Sequence, residues 1–202
     1  MVTPGFWDGR YSGQDYFYGT EPNEFLVSRS DDFLAGGKLL CLGDGEGRNS
    51  VFLAGQGFAV TAMDLSAAGL EKASKLAAER GVRIETQVGD LNDFELGDRA
   101  WDGIVSIWCH LPSLLRQKVH LGCQRALKPG GLFLLEAYRP AQIERDTGGP
   151  KDVDMLPTAD LLGRELSSLQ PLLVHEIERE VLEGPGHTGS SAVVQWIGRK
   201  LR

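Results

Sequence analysis

Five short apolar runs punctuate the first two thirds of the chain, and between them the apolar positions recur every three or four residues. Runs of that length bounded by glycine read as buried strands, and the intervening spacing reads as amphipathic helices. Strands are predicted at Lys38–Leu42, Ala59–Met63, Arg83–Gln87, Gly103–Ile107 and Gly131–Glu136, with helices at Asn49–Gln56, Ala67–Arg80 and Ser113–Leu127. In the second helix Leu70, Ala73, Leu76 and Ala77 form one stripe, with Glu71, Lys72, Lys75 and Glu79 opposite. Ser66 is placed to cap its start, and Gly81 to end it in the left-handed conformation. Strands alternating with helices in this way build a parallel sheet covered on both faces.

The last third changes character. A polar stretch from Arg139 to Lys151 precedes a helix near Ala159–Leu169. Pro171–Leu182 and Ser191–Leu201 then face each other across the turn-rich connection Glu183–Gly189, which predicts an antiparallel hairpin at one sheet edge. The expected fold is a single α/β domain over residues 1–202, a Rossmann-like doubly wound sheet of about seven strands. No linker, internal repeat or low-complexity segment divides it.

The first 25 residues stand apart as an aromatic arm. Phe6, Trp7, Tyr11, Tyr16, Phe17 and Tyr18 crowd together in no helical or strand period. Two compatible readings follow: an arm packed across the sheet, or a lid over a ligand crevice.

Composition narrows the partners. A chain of 202 residues with a formal net charge of −7 has no basic face for phosphate backbones, so nucleic acid is an unfavourable partner. The only basic run, Arg199–Arg202, reads as a solvated terminus. No apolar run approaches the ~18 residues of a membrane span, and Met1–Asp8 lacks the basic start and apolar core of a signal peptide. Cys41, Cys109 and Cys123 form an odd set without C-x-x-C spacing, as expected of reduced thiols in a cytoplasmic protein with no metal site. A small molecule is the expected partner, for a monomer or weak dimer.

Candidate chemistry gathers where the predicted strands end. The first strand stops at Gly43-Asp44-Gly45-Glu46-Gly47, a turn that admits positive φ and lets a ligand lie against bare backbone. The following helix directs free N–H groups into the same crevice. A dinucleotide fingerprint needs one more residue before its last glycine, and Arg48 occupies that place; the contraction points to an adenosyl ligand of another kind. Asp64 ends the second strand, where an acid accepts hydrogen bonds from a ribose diol. Asp90 follows the third, placed either to take an exocyclic amine of adenine beside Leu91 or to stabilise a turn. Ile107, Trp108 and His110 leave the fourth strand where the reactive end of a ligand would lie.

Taken in order, Leu42-Gly43-x-Gly45-x-Gly47, Ala62-Met-Asp64-Leu-Ser66, Gly89-Asp-Leu91, Trp101-Asp-Gly-Ile-Val105 and Leu127-Lys-Pro-Gly-Gly131 resemble the class I S-adenosylmethionine-dependent methyltransferases. Within that class, Trp7-Asp-x-Arg-Tyr11, Tyr18-Gly-Thr-Glu-Pro-Asn-Glu-Phe-Leu26 and Gly45-Glu-Gly-Arg-Asn49 are similar to the tellurite-resistance and thiopurine-methyltransferase-like branch. The resemblance implies that S-adenosyl-L-methionine is the cofactor. Its methionine moiety would rest on Gly43, Asp44, Gly45 and Gly47, its ribose on Asp64, and its adenine between Asp90 and Leu91. Leu65, Asn49, Tyr11, Tyr18, Ile107 and Trp108 complete the expected cofactor set. Many class members carry an acid two positions before the first glycine, where this chain has Cys41; the ligand's amino group is left to Asp44, Glu46 or backbone carbonyls.

The expected activity is methyl transfer to a small molecule, a thiol or a metalloid oxyanion among the candidates. Such soft acceptors need little help losing a proton, whereas oxygen or nitrogen acceptors often use a base. His110, Tyr138, Arg139 and His187 are the candidate catalytic or acceptor-binding groups, and segments 139–170 and 183–190 the candidate acceptor-side loops. Arg139 could pair with an anionic acceptor or with Glu136; His187 could reach the pocket mouth or be an exposed loop residue. Two rivals stand beside this reading: a cofactor-binding regulatory module without turnover, and a nicotinamide-dependent oxidoreductase, which Arg48 disfavours.

Overall fold

A computed structural model describes residues 4–201; residues 1–3 of the aromatic arm and Arg202 of the basic tail lie outside the described residues. Strands β1 (Lys38–Leu42), β2 (Ala59–Asp64), β3 (Glu85–Val88), β4 (Trp101–Ile107), β5 (Leu127–Tyr138), β6 (Leu169–Glu183) and β7 (His187–Lys200) form one sheet in the order β3-β2-β1-β4-β5-β7-β6. The first five are parallel, and β7 runs antiparallel to both β5 and β6. The sequence predicted this arrangement, including the hairpin at one edge. The chain leaves β1 towards β2 and β3, then returns to β4 on the other side of β1. Strand order therefore reverses at the carboxyl ends of β1 and β4, where open α/β sheets bind ligands.

Helices α3 (Arg48–Gly55), α4 (Ala67–Glu79), α5 (Ser113–Ala126) and α6 (Ala159–Glu165) accompany the sheet, preceded by α1 (Pro4–Tyr11) and α2 (Glu24–Arg29). Leu70, Ala73, Leu76 and Ala77 of α4 are buried as their spacing requires, and Ser66 Oγ accepts the Gly69 N–H at 3.0 Å. Central strands are apolar on both faces because both are covered. Leu40, Leu42, Ile104, Phe133 and Leu135 enter one core, while Leu39, Cys41, Val105, Leu132 and Leu134 enter the other.

The departures from expectation are local. The arm that lacked a clean period begins as a helix, α1. The third strand starts two residues later than predicted, and α6 ends at Glu165 rather than near Leu169. The hairpin is tighter than its turn-rich sequence suggested: Glu183 pairs directly with His187, leaving three residues as the connection. Cross-strand pairing carries β6 and β7 through residues expected to be loop. The edge strand β6 is largely exposed but carries Pro171, Glu176, Glu178 and Glu180, which discourage pairing with another sheet. Among the described residues no helix is long and apolar enough to cross a membrane.

Candidate functional site at the sheet switch point

The turn after β1 is built on glycines at positive φ: 59° at Gly43, 58° at Gly45 and 89° at Gly47. At two of them the lack of a side chain is also demanded by close approach. A Cβ on Gly45 would lie 2.7 Å from Tyr11 Oη, and one on Gly47 2.4 Å from the Cβ of Ala73. The bare backbone at Gly45 is thus covered by Tyr11, a buried residue of α1. The arm lies over the glycine turn. Its Asp8 Oδ1 accepts Ser66 Oγ at 2.6 Å and the Ala68 N–H at 3.3 Å, pinning α1 to the start of α4.

Asp64 closes the same turn from β2. Its Oδ2 accepts the Gly45 N–H at 2.8 Å, and its Oδ1 accepts the Ser66 N–H at 2.8 Å. Each oxygen keeps a second lone pair. Burial raises the Asp64 pKa above the usual carboxylate value, against the hydrogen bonds that lower it. Leu65 follows, half-buried.

The three candidates for a ligand's amino group separate cleanly. Cys41 lies within the apolar core, where burial pushes its thiol pKa upward and keeps it uncharged. Glu46 is committed, with Oε1 2.5 Å from Lys72 Nζ and Oε2 accepting the Tyr18 N–H at 3.3 Å. Among the described residues Asp44 Oδ2 is buried with no hydrogen-bond partner. Burial raises its pKa to about 6. An unpartnered buried carboxylate oxygen is costly to keep, and a cationic ligand group would satisfy it. The residues of this turn therefore fit an adenosyl ligand that ends in an ammonium group.

Two expected cofactor residues have other occupations. Asn49 Oδ1 accepts the Asn23 N–H at 3.0 Å, tying the segment before α2 to α3. Asp90 is exposed, and its Oδ1 accepts the Asn92 N–H at 2.8 Å, the turn role weighed against adenine recognition. Leu91 packs on the edge of the core.

On the other side of the switch point the sequence candidates converge on one aromatic wall. The Trp108 ring stands 4.4 Å from Tyr138 and 5.2 Å from His187, and His187 stacks on Tyr18 at 4.5 Å. His110 stacks at the far end, 5.4 Å from Tyr138. Ile107, just before Trp108, is core.

Both histidines are engaged in hydrogen bonds. Tyr138 N–H donates to His110 Nε2 at 2.9 Å, so Nε2 is the acceptor and Nδ1, 3.0 Å from Trp108 O, carries the proton. Both nitrogens are spent on backbone, and burial lowers the pKa to about 4. His187 is not an exposed loop residue but a buried one opening β7, with Nδ1 2.7 Å from Tyr138 Oη and a pKa lowered by burial to about 2. Tyr138 is completely buried, and burial raises its pKa too. Arg139 does not pair with Glu136; its acidic partners are Glu176 at 3.9 Å and Glu178 at 4.0 Å, and among the described residues its buried Nε has no partner.

Sequence reading missed a buried polar cluster behind the wall. Glu136, fully buried in β5, accepts from Asn23, Arg179 and Gln195, while Glu183 accepts from Asn23, Arg48, Trp108 and Arg179. The available signal was a lone glutamate inside the apolar run Leu132–Ala137, a place where a charge is kept only if paired.

With this geometry in hand, comparison with known proteins gives a consistent picture. Residues 39–131 match the family model described as a methyltransferase domain. The 2-heptyl-1-hydroxyquinolin-4(1H)-one methyltransferase of Mycobacteroides abscessus is 27% identical over 120 residues, 58% of this chain and 53% of that protein. The chain spans about half the length of the first curated relatives it matches. TehB from Haemophilus influenzae superposes with a TM-score of 0.72 at 19% identity, covering 98% of this chain and 66% of the other. A structure from work on the conversion of a disulfide bond into a thioacetal group during echinomycin biosynthesis gives 0.79 at 18% identity, covering 98% and 92%. A methyltransferase-domain model thus matches residues 39–131, and the fold is shared with both solved structures.

Proposed function

We propose that this chain is an S-adenosyl-L-methionine-dependent methyltransferase acting on a small molecule that arrives already nucleophilic, a thiol or a metalloid oxyanion. The observation that carries the donor half is the unpartnered, buried Asp44 Oδ2 beside the Gly45–Asp64 hydrogen bond at the switch point. Asp44 takes the methionine ammonium, the Gly43–Gly47 backbone cradles that moiety, and Asp64 and Leu65 hold the ribose. Asp90 and Leu91 flank the adenine. Tyr11, Tyr18, Ile107 and Trp108 enclose the site, and Asn49 fixes the segment that brings Tyr18 there. When bound, the cofactor supplies a methyl group on a sulfonium, which an in-line nucleophile displaces; holding that line is worth up to roughly 7–11 kcal/mol.

The acceptor half rests on the spent state of the bases. Both His110 nitrogens hold backbone groups, and His187 holds Tyr138 while too acidic as an imidazolium to keep a proton near neutrality. Neither group is equipped to take a proton from an alcohol or ammonium acceptor. His110, Tyr138 and His187 shape the wall instead, and Arg139 is the group for an anionic acceptor. In this reading residues 1–202 form one methyltransferase domain, with the aromatic arm as its lid and 139–170 and 183–190 on the acceptor side. The motifs Trp7–Tyr11 and Tyr18–Leu26 support the tellurite-resistance and thiopurine-methyltransferase-like branch, in a monomer or weak dimer.

Two measurements test this. Calorimetry should find binding of S-adenosylmethionine and S-adenosylhomocysteine and none of NAD; the reverse would overturn the donor assignment. Release of S-adenosylhomocysteine should be fastest with a thiol, tellurite or selenite in a screen that includes small amines and the hydroxyquinolone of the relative's name. Turnover with amines alone would overturn the acceptor assignment.

A further inference from the structure

Glu183, the last residue of β6, is almost wholly buried and holds donors from four separate parts of the chain. Its Oε2 accepts from Arg48, the first residue of α3, and from Trp108 Nε1 at 2.5 Å. Its Oε1 accepts Asn23 Nδ2 at 2.8 Å and the Arg179 guanidinium at 3.3 Å. Arg48 follows Gly47 directly, so this carboxylate grips the end of the glycine turn and, through the same oxygen, the central ring of the aromatic wall.

Trp108 needs such a grip. Its φ of 55° is a left-handed backbone conformation that a bulky side chain adopts only under constraint. The Trp108 N–H donates to Glu136 O at 2.9 Å, and its own carbonyl accepts from His110. Those bonds hold the backbone; the Glu183 contact is the hydrogen bond that fixes the ring's Nε1 edge, beside stacking on Tyr138 and His187. The ring then sets Tyr138 and His187, and His187 sets Tyr18 of the arm.

We propose that Glu183 is a positioning residue that couples the donor turn to the acceptor wall. Cofactor settling against Gly43–Gly47 fixes Arg48; Arg48 fixes Glu183; and Glu183 holds Trp108 in its strained, wall-forming conformation. The inference rests on the proposed donor site, and its test separates the two.

The test uses S-adenosylhomocysteine as probe on the full chain, reading affinity by calorimetry and tryptophan emission in parallel. Binding should change the emission of the wild-type protein, and the share of that change lost in Trp108→Phe reports on this ring. Glu183→Gln keeps the shape and removes the charge. It should abolish at least half of the Trp108 share while affinity falls by no more than roughly fivefold, the scale of one net hydrogen bond. Arg48→Lys, which leaves the other three donors of Glu183 in place, should give the same loss and decides the matter if Glu183→Gln does not fold. A full Trp108 response in the folded variant, or no Trp108 share in the wild type, would overturn the coupling. Absence of any S-adenosylhomocysteine binding by the wild type would instead overturn the donor site.

Discussion

The Gly45 N–H donates to Asp64 Oδ2 over 2.8 Å, so the turn after the first strand and the acid ending the second are a single latch. The acid expected to hold a ligand's ribose also holds the shape of the loop beneath that ligand. Asp64→Ala removes both functions, whereas Asp64→Asn can keep an oxygen acceptor for Gly45. The alanine variant should lose ~1–3 kcal/mol of S-adenosylhomocysteine affinity by calorimetry, the range for orphaning polar partners. The asparagine variant should fall between it and the wild type. Unchanged affinity in Asp64→Ala would remove Asp64 from the donor site.

If Asp44 holds the donor's ammonium group, as proposed, donor affinity depends on pH. Its folded pKa of about 6 lies above the ordinary 3.8, so between those values the folded ligand-free chain holds a proton that the unfolded chain has released. For this group alone, stability of the ligand-free fold declines as pH rises through that window. Donor binding has the opposite sign, because an ammonium is attracted only to the ionised carboxylate. Affinity for S-adenosylhomocysteine should weaken as pH falls from 7 to 5, with its midpoint near 6, and proton release should accompany binding in that range. Asp44→Asn should bind more weakly at pH 7 and show a flat profile. A wild-type profile as flat as the variant's would exclude Asp44 as the ammonium partner.

The strand ends were legible in the sequence because glycine turns and boundary carboxylates are local signals. Gly43–Gly47, Asp64 and the Ser66 cap all took the places their spacing required. The histidines were not legible for the opposite reason. His187 is buried because Tyr18, 169 positions away in the chain, stacks on it (187 − 18), and His110 is spent because β5 presents the Tyr138 amide. Neither contact leaves a periodic mark. Glu183 is the extreme case: a glutamate beside a Gly-Pro-Gly turn reads as surface, yet strand pairing extends to it and delivers it to Arg48.

The buried histidines make the fold acid-sensitive. His187 stays neutral in the folded chain down to about pH 2 and His110 down to about pH 4, whereas an unfolded histidine takes its proton near 6.5. The unfolded chain therefore binds more protons below pH 6.5, and stability is lost as pH falls through that value. Asp44 and Asp64, with raised pKa values, act in the opposite direction, so a variant isolates the term better than the wild type alone. His187→Asn should flatten the pH dependence of unfolding free energy between pH 4 and 6 by up to ~1.4 kcal/mol per unit, measured by denaturant titration. An unaltered slope would mean that His187 is already protonated in the native protein.

Glu165 locks helix α6 onto α5. Its carboxylate meets Arg116 Nε at 3.2 Å and His120 Nδ1 at 2.7 Å, and all three side chains are at most 5% exposed. Arg116 also donates to Leu111 O and, at 2.8 Å, to Asp154 O. One guanidinium thus clamps the exit of the fourth strand, the turn at Val153–Met155 and helix α6. Burial alone would raise the Glu165 pKa, but hydrogen bonds from His120 and Arg116 outweigh it and hold the group below its ordinary value. Its contribution is present at neutral pH and is lost as acid protonates it. Glu165→Ala leaves a buried guanidinium without its partner and should cost ~3–5 kcal/mol of unfolding free energy. The double replacement Arg116→Met with Glu165→Leu removes both charges and should recover most of that loss, since well-packed apolar pairs rival buried ion pairs. Because this cluster is remote in the fold from the glycine turn, S-adenosylhomocysteine affinity should stay within roughly twofold of wild type in the double variant, the error expected for independent sites. A double variant as unstable as Glu165→Ala would show that the stability comes from packing around these side chains and not from the pairing of their charges.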